Sequence, residues 1–316
     1  MPHGPVVRRR RLGEELRSLR HASGLTSRDA ARLLGWHQSK VSRIETGASG
    51  VSSGDVARLL DVYGVRDAPS RALLEVLAGS AGRGGPGWWH AYRGLIPPHL
   101  GDFISLESQA DAVRTLETSV VPGLLQTAGY ARAVIRASLD GASPDGTVPD
   151  GTVPDGTSPD GTGDHRAVAL DSLDSLVEVR LTRQRVLRAT RPPRFTAVLD
   201  EAVLRREVGG PAVMRDQVEH LQEMSRLPHV TVRLLPFSSG GYPGLTTSFA
   251  IFSFPATADL DVIVLDHLTS GLYLERREDL RTYGAAFRAL QERALSPERS
   301  WDLMAGIRRD HARSSL

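Results

Sequence analysis

At 316 residues the chain exceeds what one hydrophobic core usually serves, so two domains are expected. It has no cysteine, which excludes disulfides, thiolate metal sites and a cysteine nucleophile, and no run of about 18 apolar residues or apolar leader, so a cytoplasmic protein without a membrane span is expected. The net charge of +2 is unevenly spread: residues 1–78 hold thirteen Arg and Lys against eight Asp and Glu, a net of +5, which leaves −3 for the rest and confines any nucleic-acid footprint to the amino-terminal quarter.

Taken in order, Arg8 to Arg11 form a basic arm running into a first helix with Leu12, Leu16 and Leu19 on one face. Such an arm either follows a phosphate backbone or minor groove, or is a solvated tail. Leu25 to Gly47 then reads as a helix, a tight turn and a second helix. Thr26 suits a cap, Ala30, Leu33 and Leu34 supply an inward stripe, and Gly35 ends the first helix. Ala31 is small enough to let the second helix cross closely, and Val41 and Ile44 form that helix's buried stripe. Gln38, Ser39, Ser42 and Arg43 are left facing outward. These residue types hydrogen-bond base edges and phosphates in a major groove, and Arg28 and Lys40, the only lysine, add charge for phosphates.

The spacing of Ala31, Gly35, Val41 and Ile44, closed by Glu45, Thr46 and Gly47, resembles the Xre type of helix-turn-helix, the fold of the lambdoid phage repressors. The resemblance implies binding to double-stranded DNA, and a homodimer is expected. It would set Ser27, where many relatives carry Gln, at the phosphate-contacting start of the first helix, and His37, Gln38, Ser39 and Arg43 on the base-reading face.

Ser52 or Ser53 can cap a fourth helix carrying Val56, Leu59, Leu60 and Tyr63, and a fifth, begun by Pro69, carries Leu73, Leu74 and Leu77. An all-α five-helix domain over residues 8–78 is expected. Gly79 to Gly87 lacks periodicity and apolar content and reads as a linker to a second domain over 88–310. Trp88, Trp89 and Tyr92 read as a docking or core element before a ligand cage. Phe103 to Ala112 looks helical, and a turn at Pro122 and Gly123 leads into another helix. From Ser143 to Thr162 the units SPDGT, VPDGT, VPDGT and SPDGT stand in register, a composition that holds neither core nor helix and predicts an exposed, disordered loop over 142–163. Its aspartates lack the converging oxygens and glutamate of a calcium loop.

A long helix is expected over Ala167 to Ala189, with Leu173, Leu176, Val177, Leu181 and Val186 inward. Strands are predicted at FTAVLD from Phe195, VTVRLLPF from Val230, SFAIFSF from Ser248 and VIVLD from Val262. Helices fall at Pro211 to Ser225 and, closing the fold, Asp279 to Arg293. The class is α+β, a helical amino-terminal domain plus a second domain with a small sheet of about four strands.

Five blocks, VVPGLLQTAGYARAVI, VEVRLTRQRVL, VLDEAVLRREVGGPAVMRDQVEHL, VTVRLLPFSSGGYPGL and ALSPERSWDLM, resemble the carboxy-terminal domain of unknown function in a large actinomycete regulator family. There the domain follows an Xre helix-turn-helix, and the members are described as antitoxin-like transcriptional regulators, often encoded beside a small companion protein. The resemblance implies a regulator without naming its signal; the size of the second domain beside a small DNA-binding one predicts that it receives a signal from a companion protein or small-molecule effector, the alternatives being a protein acting mainly by binding a small partner, and an unrecognised enzyme. The repeat departs from the family pattern and reads as an insertion.

Asp200 and Glu201 adjoin at the end of a strand, as a general base would, and His267 follows Asp266 at the end of another. Adjacent strand residues face opposite ways, however, so structural salt bridges are the stronger reading. Arg180 and Gln184, four apart on the long helix, share a face that either meets Glu201, Asp200 or an anionic ligand, or is solvated. The GGYPGL loop, Gly240 to Leu245, either covers a cleft between strands or is a turn. With no H-x-x-x-H, G-x-S-x-G or P-loop pattern, no catalytic residue, metal or cofactor is assigned.

Overall fold

The computed structural model describes residues 6–68, 71, 74, 75, 78, 88–92, 94–96, 98–140, 164–254, 261–266 and 271–314. Contacts divide the chain into two compact units, Met1–Gln109 and Ala110–Leu316. The expected linker at 79–87, the repeat at 143–162 and His267 lie outside the described residues, as does most of the expected fifth helix. Of that helix, residues 71, 74, 75 and 78 are described and helical, with Leu74 and Ala78 buried.

The first unit contains α1 (Val6–Ala22), α2 (Ser27–Leu34), α3 (Gln38–Glu45), α4 (Ser53–Val62) and α5 (Pro98–Gln109). Arg8 to Arg11 belong to α1 and are not an extended arm, because arginine is a good helix former and no breaker separates Val6 from Leu12. The Thr26 hydroxyl accepts from the Asp29 amide at 3.1 Å while the Asp29 carboxylate accepts from the Thr26 amide at 3.2 Å, a reciprocal cap that starts α2. Gly35 ends α2 at φ +68°, a conformation a β-carbon disfavours. Leu12, Leu16, Ala30, Ala31, Leu34, Val41, Ile44, Val56, Leu59 and Leu60 form the core. Leu33 corrects the expected stripe: it is 59% exposed, since Ala30, Ala31 and Leu34 centre the buried side and Leu33 lies about 100° around the helix from it.

The second unit is built on a six-stranded sheet of order β3-β2-β1-β4-β5-β6. Its strands are β1 (Ala112–Glu117), β2 (Arg194–Asp200), β3 (Val230–Leu235), β4 (Phe249–Ser253), β5 (Val262–Asp266) and β6 (Gly271–Leu274). The first three run parallel, and β4, β5 and β6 continue antiparallel from β1. The four expected strands are β2 to β5; β1 and β6 complete the sheet. Ala112, expected at a helix end, begins the central strand, where Arg114 pairs with Thr196 on one side and Ile251 on the other.

The helices are α6 (Ala128–Asp140), α7 (Asp164–Arg183), the short α8 (Glu201–Arg205), α9 (Pro211–Met224), α10 (Arg277–Arg293) and α11 (Pro297–Ser314). The long helix expected to reach Ala189 tightens into a 3-10 turn over Gln184–Arg188. The fold does not close with α10, as expected, because α11 follows. The approach to α11 protects β3: the Leu295 amide donates to the Leu234 carbonyl and the Leu234 amide to Ser300 Oγ, both at 2.9 Å. That satisfies backbone groups an edge strand would otherwise expose. One face of the sheet, with Leu116, Val198, Ile251 and Ile263, packs on Phe287 and Leu290 of α10. On the other face Val113, Phe195, Ala197, Leu199, Val232 and Leu234 are also buried, which accounts for the nearly continuous apolar runs.

Candidate nucleic-acid interface

The position of α3 is fixed from behind by a charged group the sequence reading passed over. Arg20 of α1 makes a bidentate pair with Glu45, the last residue of α3, through Nε at 2.7 Å and Nη2 at 2.9 Å, and Nη1 donates to the Leu25 carbonyl at 2.7 Å. Tyr63, at the end of α4, donates to the same carboxylate at 3.3 Å. Both members of the pair are buried. The hydrogen bond to Glu45 pushes the Arg20 pKa up, and burial, reinforced by the Glu45 charge, raises that of Tyr63, so the guanidinium stays charged and the phenol stays a donor at neutral pH. Gly13 brings α1 against the same helix end. A β-carbon there would lie 2.6 Å from the carbonyl oxygens of both Ile44 and Glu45. The signal available in the sequence was Arg20 falling beside the Leu12, Leu16, Leu19 stripe, where a charge needs a partner.

With its inner side held, α3 presents Gln38, Ser39, Ser42 and Arg43 to solvent, as the period of 3.6 requires when Val41 and Ile44 are buried. His37 caps the helix: its Nδ1 accepts from the Ser39 amide at 3.4 Å and lies 2.9 Å from Ser39 Oγ. Gln38 Nε2 donates to Ser27 Oγ at 3.2 Å, which joins the start of α3 to the start of α2. Arg28 is exposed beside it. Lys40 is more constrained than its neighbours: its Nζ lies 3.0 Å from Asp55 Oδ2 and 3.7 Å from the centroid of the Trp36 ring. Arg58 adds a second cation near that ring, at 5.4 Å, while donating to the Leu34 carbonyl. Ser27, His37, Gln38 and Ser39 thus lie at the joined starts of α2 and α3, Ser42 and Arg43 continue the exposed side of α3, and Lys40 is tied to α4.

The candidates in the second unit are not brought together as one group. Arg180 donates to Gln126 Oε1 at 2.9 Å, and Gln184 donates to the carbonyls of Gly123 and Gln126 at 3.1 and 2.6 Å. Both therefore meet the segment around the 3-10 turn Gly123–Leu125. Gln217 braces it from α9, accepting from the Thr127 amide and donating to the Leu125 carbonyl, both at 2.7 Å, and the Tyr130 hydroxyl accepts from the Val121 amide. Asp200 and Glu201 sit where β2 passes into α8. Asp200 accepts from the Ala202 amide at 2.7 Å and from the Tyr242 hydroxyl at 2.5 Å, and buried Glu201 accepts from Arg205 Nε at 2.6 Å and the Phe237 amide at 2.8 Å. Trp88, Trp89 and Tyr92 form an edge-to-face cluster in a 3-10 turn. Among the described residues no three His, Asp or Glu side chains converge as a metal site would require, and no helix is long and apolar enough to cross a membrane.

Comparison with known families matches residues 11–74 to the model of a helix-turn-helix domain, and residues 100–150 and 161–306 to that of a domain of unknown function (DUF5753). The gap between the two latter segments falls within the SPDGT-type repeat. No curated protein and no solved structure matches the chain.

Proposed function

Since the chain belongs to the DUF5753 family and its helix-turn-helix domain supports a DNA-binding regulator, we propose that it binds double-stranded DNA sequence-specifically as a homodimer and that its carboxy-terminal domain receives a signal. In this reading residues 8–78 form the DNA-reading domain, 79–87 a linker and 88–310 the sensing domain. Gln38 and Arg43 read base edges in the major groove, His37, Ser39 and Ser42 lie alongside them, and Ser27, Arg28 and Lys40 contact phosphates. The signal is a companion protein or a small ligand.

The observation that carries the proposal is the pairing of a polar, solvent-facing α3 with a rigid back: a buried bidentate ion pair and a glycine contact at its end. A helix that merely filled a core would not need an outward face of amides, hydroxyls and a guanidinium. The test begins with selection of duplexes by the full chain from a random pool. One consensus should emerge, and on it Arg43→Ala should cost about 1 to 3 kcal/mol and relax preference at one position, whereas Arg28→Ala should weaken all sequences alike and lower the salt dependence. Failure to enrich any sequence, or full affinity and an unchanged footprint for Arg43→Ala, would overturn the assignment.

A further inference from the structure

The carboxyl ends of the three parallel strands open onto a cavity of about 310 Å³. Thr118 follows β1 at its rim, Asp200 ends β2, Phe237 follows β3, and Tyr242 and Leu245 come from the glycine-containing loop that leads into β4. Ligands in open sheets with parallel strands collect at this edge, where the chain turns away from each strand and leaves a crevice. The volume lies at the small end of the range for small-molecule sites, about 300–1,000 Å³. The loop is packed closely on the sheet beside it: Gly244 stands at φ +85°, and a β-carbon there would come within 2.6 Å of the Leu116 side chain.

The chemistry of the lining is one-sided. Among the described residues that line it, Asp200 carries the charge and no side chain is cationic. Oδ1 of Asp200 accepts one hydrogen bond from the Ala202 amide and Oδ2 one from the Tyr242 hydroxyl, so the carboxylate is fixed in place while each oxygen keeps acceptor capacity. Tyr242 is buried and its pKa is pushed up, first by burial and then by its bond to Asp200, so it stays a donor to the carboxylate. Phe237 and Leu245, by contrast, are 59% and 49% exposed, large apolar side chains left in water at the mouth of the cavity. A ring face and a fixed carboxylate together favour a cation attached to an apolar body. We propose that this cavity binds a small protonated organic amine, with the ammonium on Asp200 and the apolar part against Phe237 and Leu245. The proposal deepens the sensing reading above and rests on it only for the consequence at DNA.

Calorimetric titration of the full chain with 2-phenylethylamine, set against 3-phenylpropionate of like size and opposite charge, tests it. The amine should bind saturably and the carboxylate should not. Asp200→Asn, which keeps an oxygen for the Ala202 cap, should weaken the amine roughly tenfold, and Phe237→Ala, at a solvent-facing position that spares the fold, roughly threefold. No saturable amine binding, equal binding of the two probes, or amine affinity unchanged in Phe237→Ala would overturn the assignment. Operator affinity measured with and without amine separates the two readings. If the amine binds but leaves operator affinity unmoved, the cavity assignment stands and the regulatory role falls; if another signal moves operator affinity while no amine binds, the reverse holds.

Discussion

Among single residues, Glu45 shows how a position in the helix-turn-helix pattern acquires a physical role. The sequence reading used it only as part of the corner that closes the motif. Its carboxylate in fact accepts two bonds from Arg20 and one from Tyr63, all out of water. Removing one partner of such a pair leaves a buried, uncompensated charge, whereas replacing both with apolar groups of similar size removes the desolvation cost along with the attraction. Glu45→Ala or Arg20→Met should each destabilise the first unit by about 3 to 5 kcal/mol. The double variant Arg20→Met with Glu45→Leu should lose much less, and denaturant melts of all three would show it. If the double variant were as unstable as the sum of the singles, the pair would not be acting as a unit. Lys40 illustrates the limit of reading one segment alone. Its position beside the exposed side of α3 followed from helical period, but its tether to Asp55 depends on how α4 folds back, which no local pattern encodes.

At the scale of elements, the caps and strand runs were legible because their signals are local, and the pieces that escaped are those whose conformation is imposed from outside. FTAVLD, VTVRLLPF, SFAIFSF and VIVLD are rich in β-branched and aromatic residues and hold β2 to β5, although β3 stops at Leu235 and Phe237 enters a 3-10 turn. Ala-Val-Arg-Thr-Leu-Glu has no such bias, and it is a strand because β2 and β4 pair with it on both sides. Helix α11 carries few aliphatic side chains among its charges; Met304 and Ile307 alone of these are fully buried. The start of α2 was the clearest local signal, and it makes a pH prediction. Hydrogen bonds from Thr26, first from its side chain and then from its backbone, hold the Asp29 carboxyl below the usual carboxylate range. A group whose folded pKa is depressed contributes stability above its unfolded pKa and loses it as pH falls through the folded value. Asp29→Asn should therefore melt lower than the parent at neutral pH, and the gap should close as pH drops below the ordinary carboxylate range. A gap that stayed constant through that acid range would show that the charge on Asp29 adds nothing to the cap.

For the whole molecule the decisive facts are the separation of charge and the disproportion of size. Residues 1–78 carry +5 and the remaining three quarters −3, so the net positive charge that attracts phosphates is confined to the amino-terminal quarter. Its sheet is closed on the β3 edge by the chain leading into α11 and buried on both faces, the construction of a stable body and not of a flexible tail. A body of that size attached to a small DNA reader is accounted for if it sets how two readers are held relative to each other. Half-sites for such helices lie about 34 Å apart, one turn of the duplex, and an isolated reader gains nothing from the second half-site. A signal then acts only through unequal affinity for states in which the readers do or do not match that spacing. The full chain should accordingly bind its selected operator with two copies per site and respond to whatever the second domain holds. A fragment of residues 1–80 should bind the same operator more weakly, one copy per half-site, and without response. Sedimentation of both on labelled operator, with and without proteins that co-purify with the full chain, measures stoichiometry and affinity together. Equal affinity, equal stoichiometry and an unresponsive full chain would mean that DNA binding is complete in the first domain, and that the second domain acts on something other than the operator.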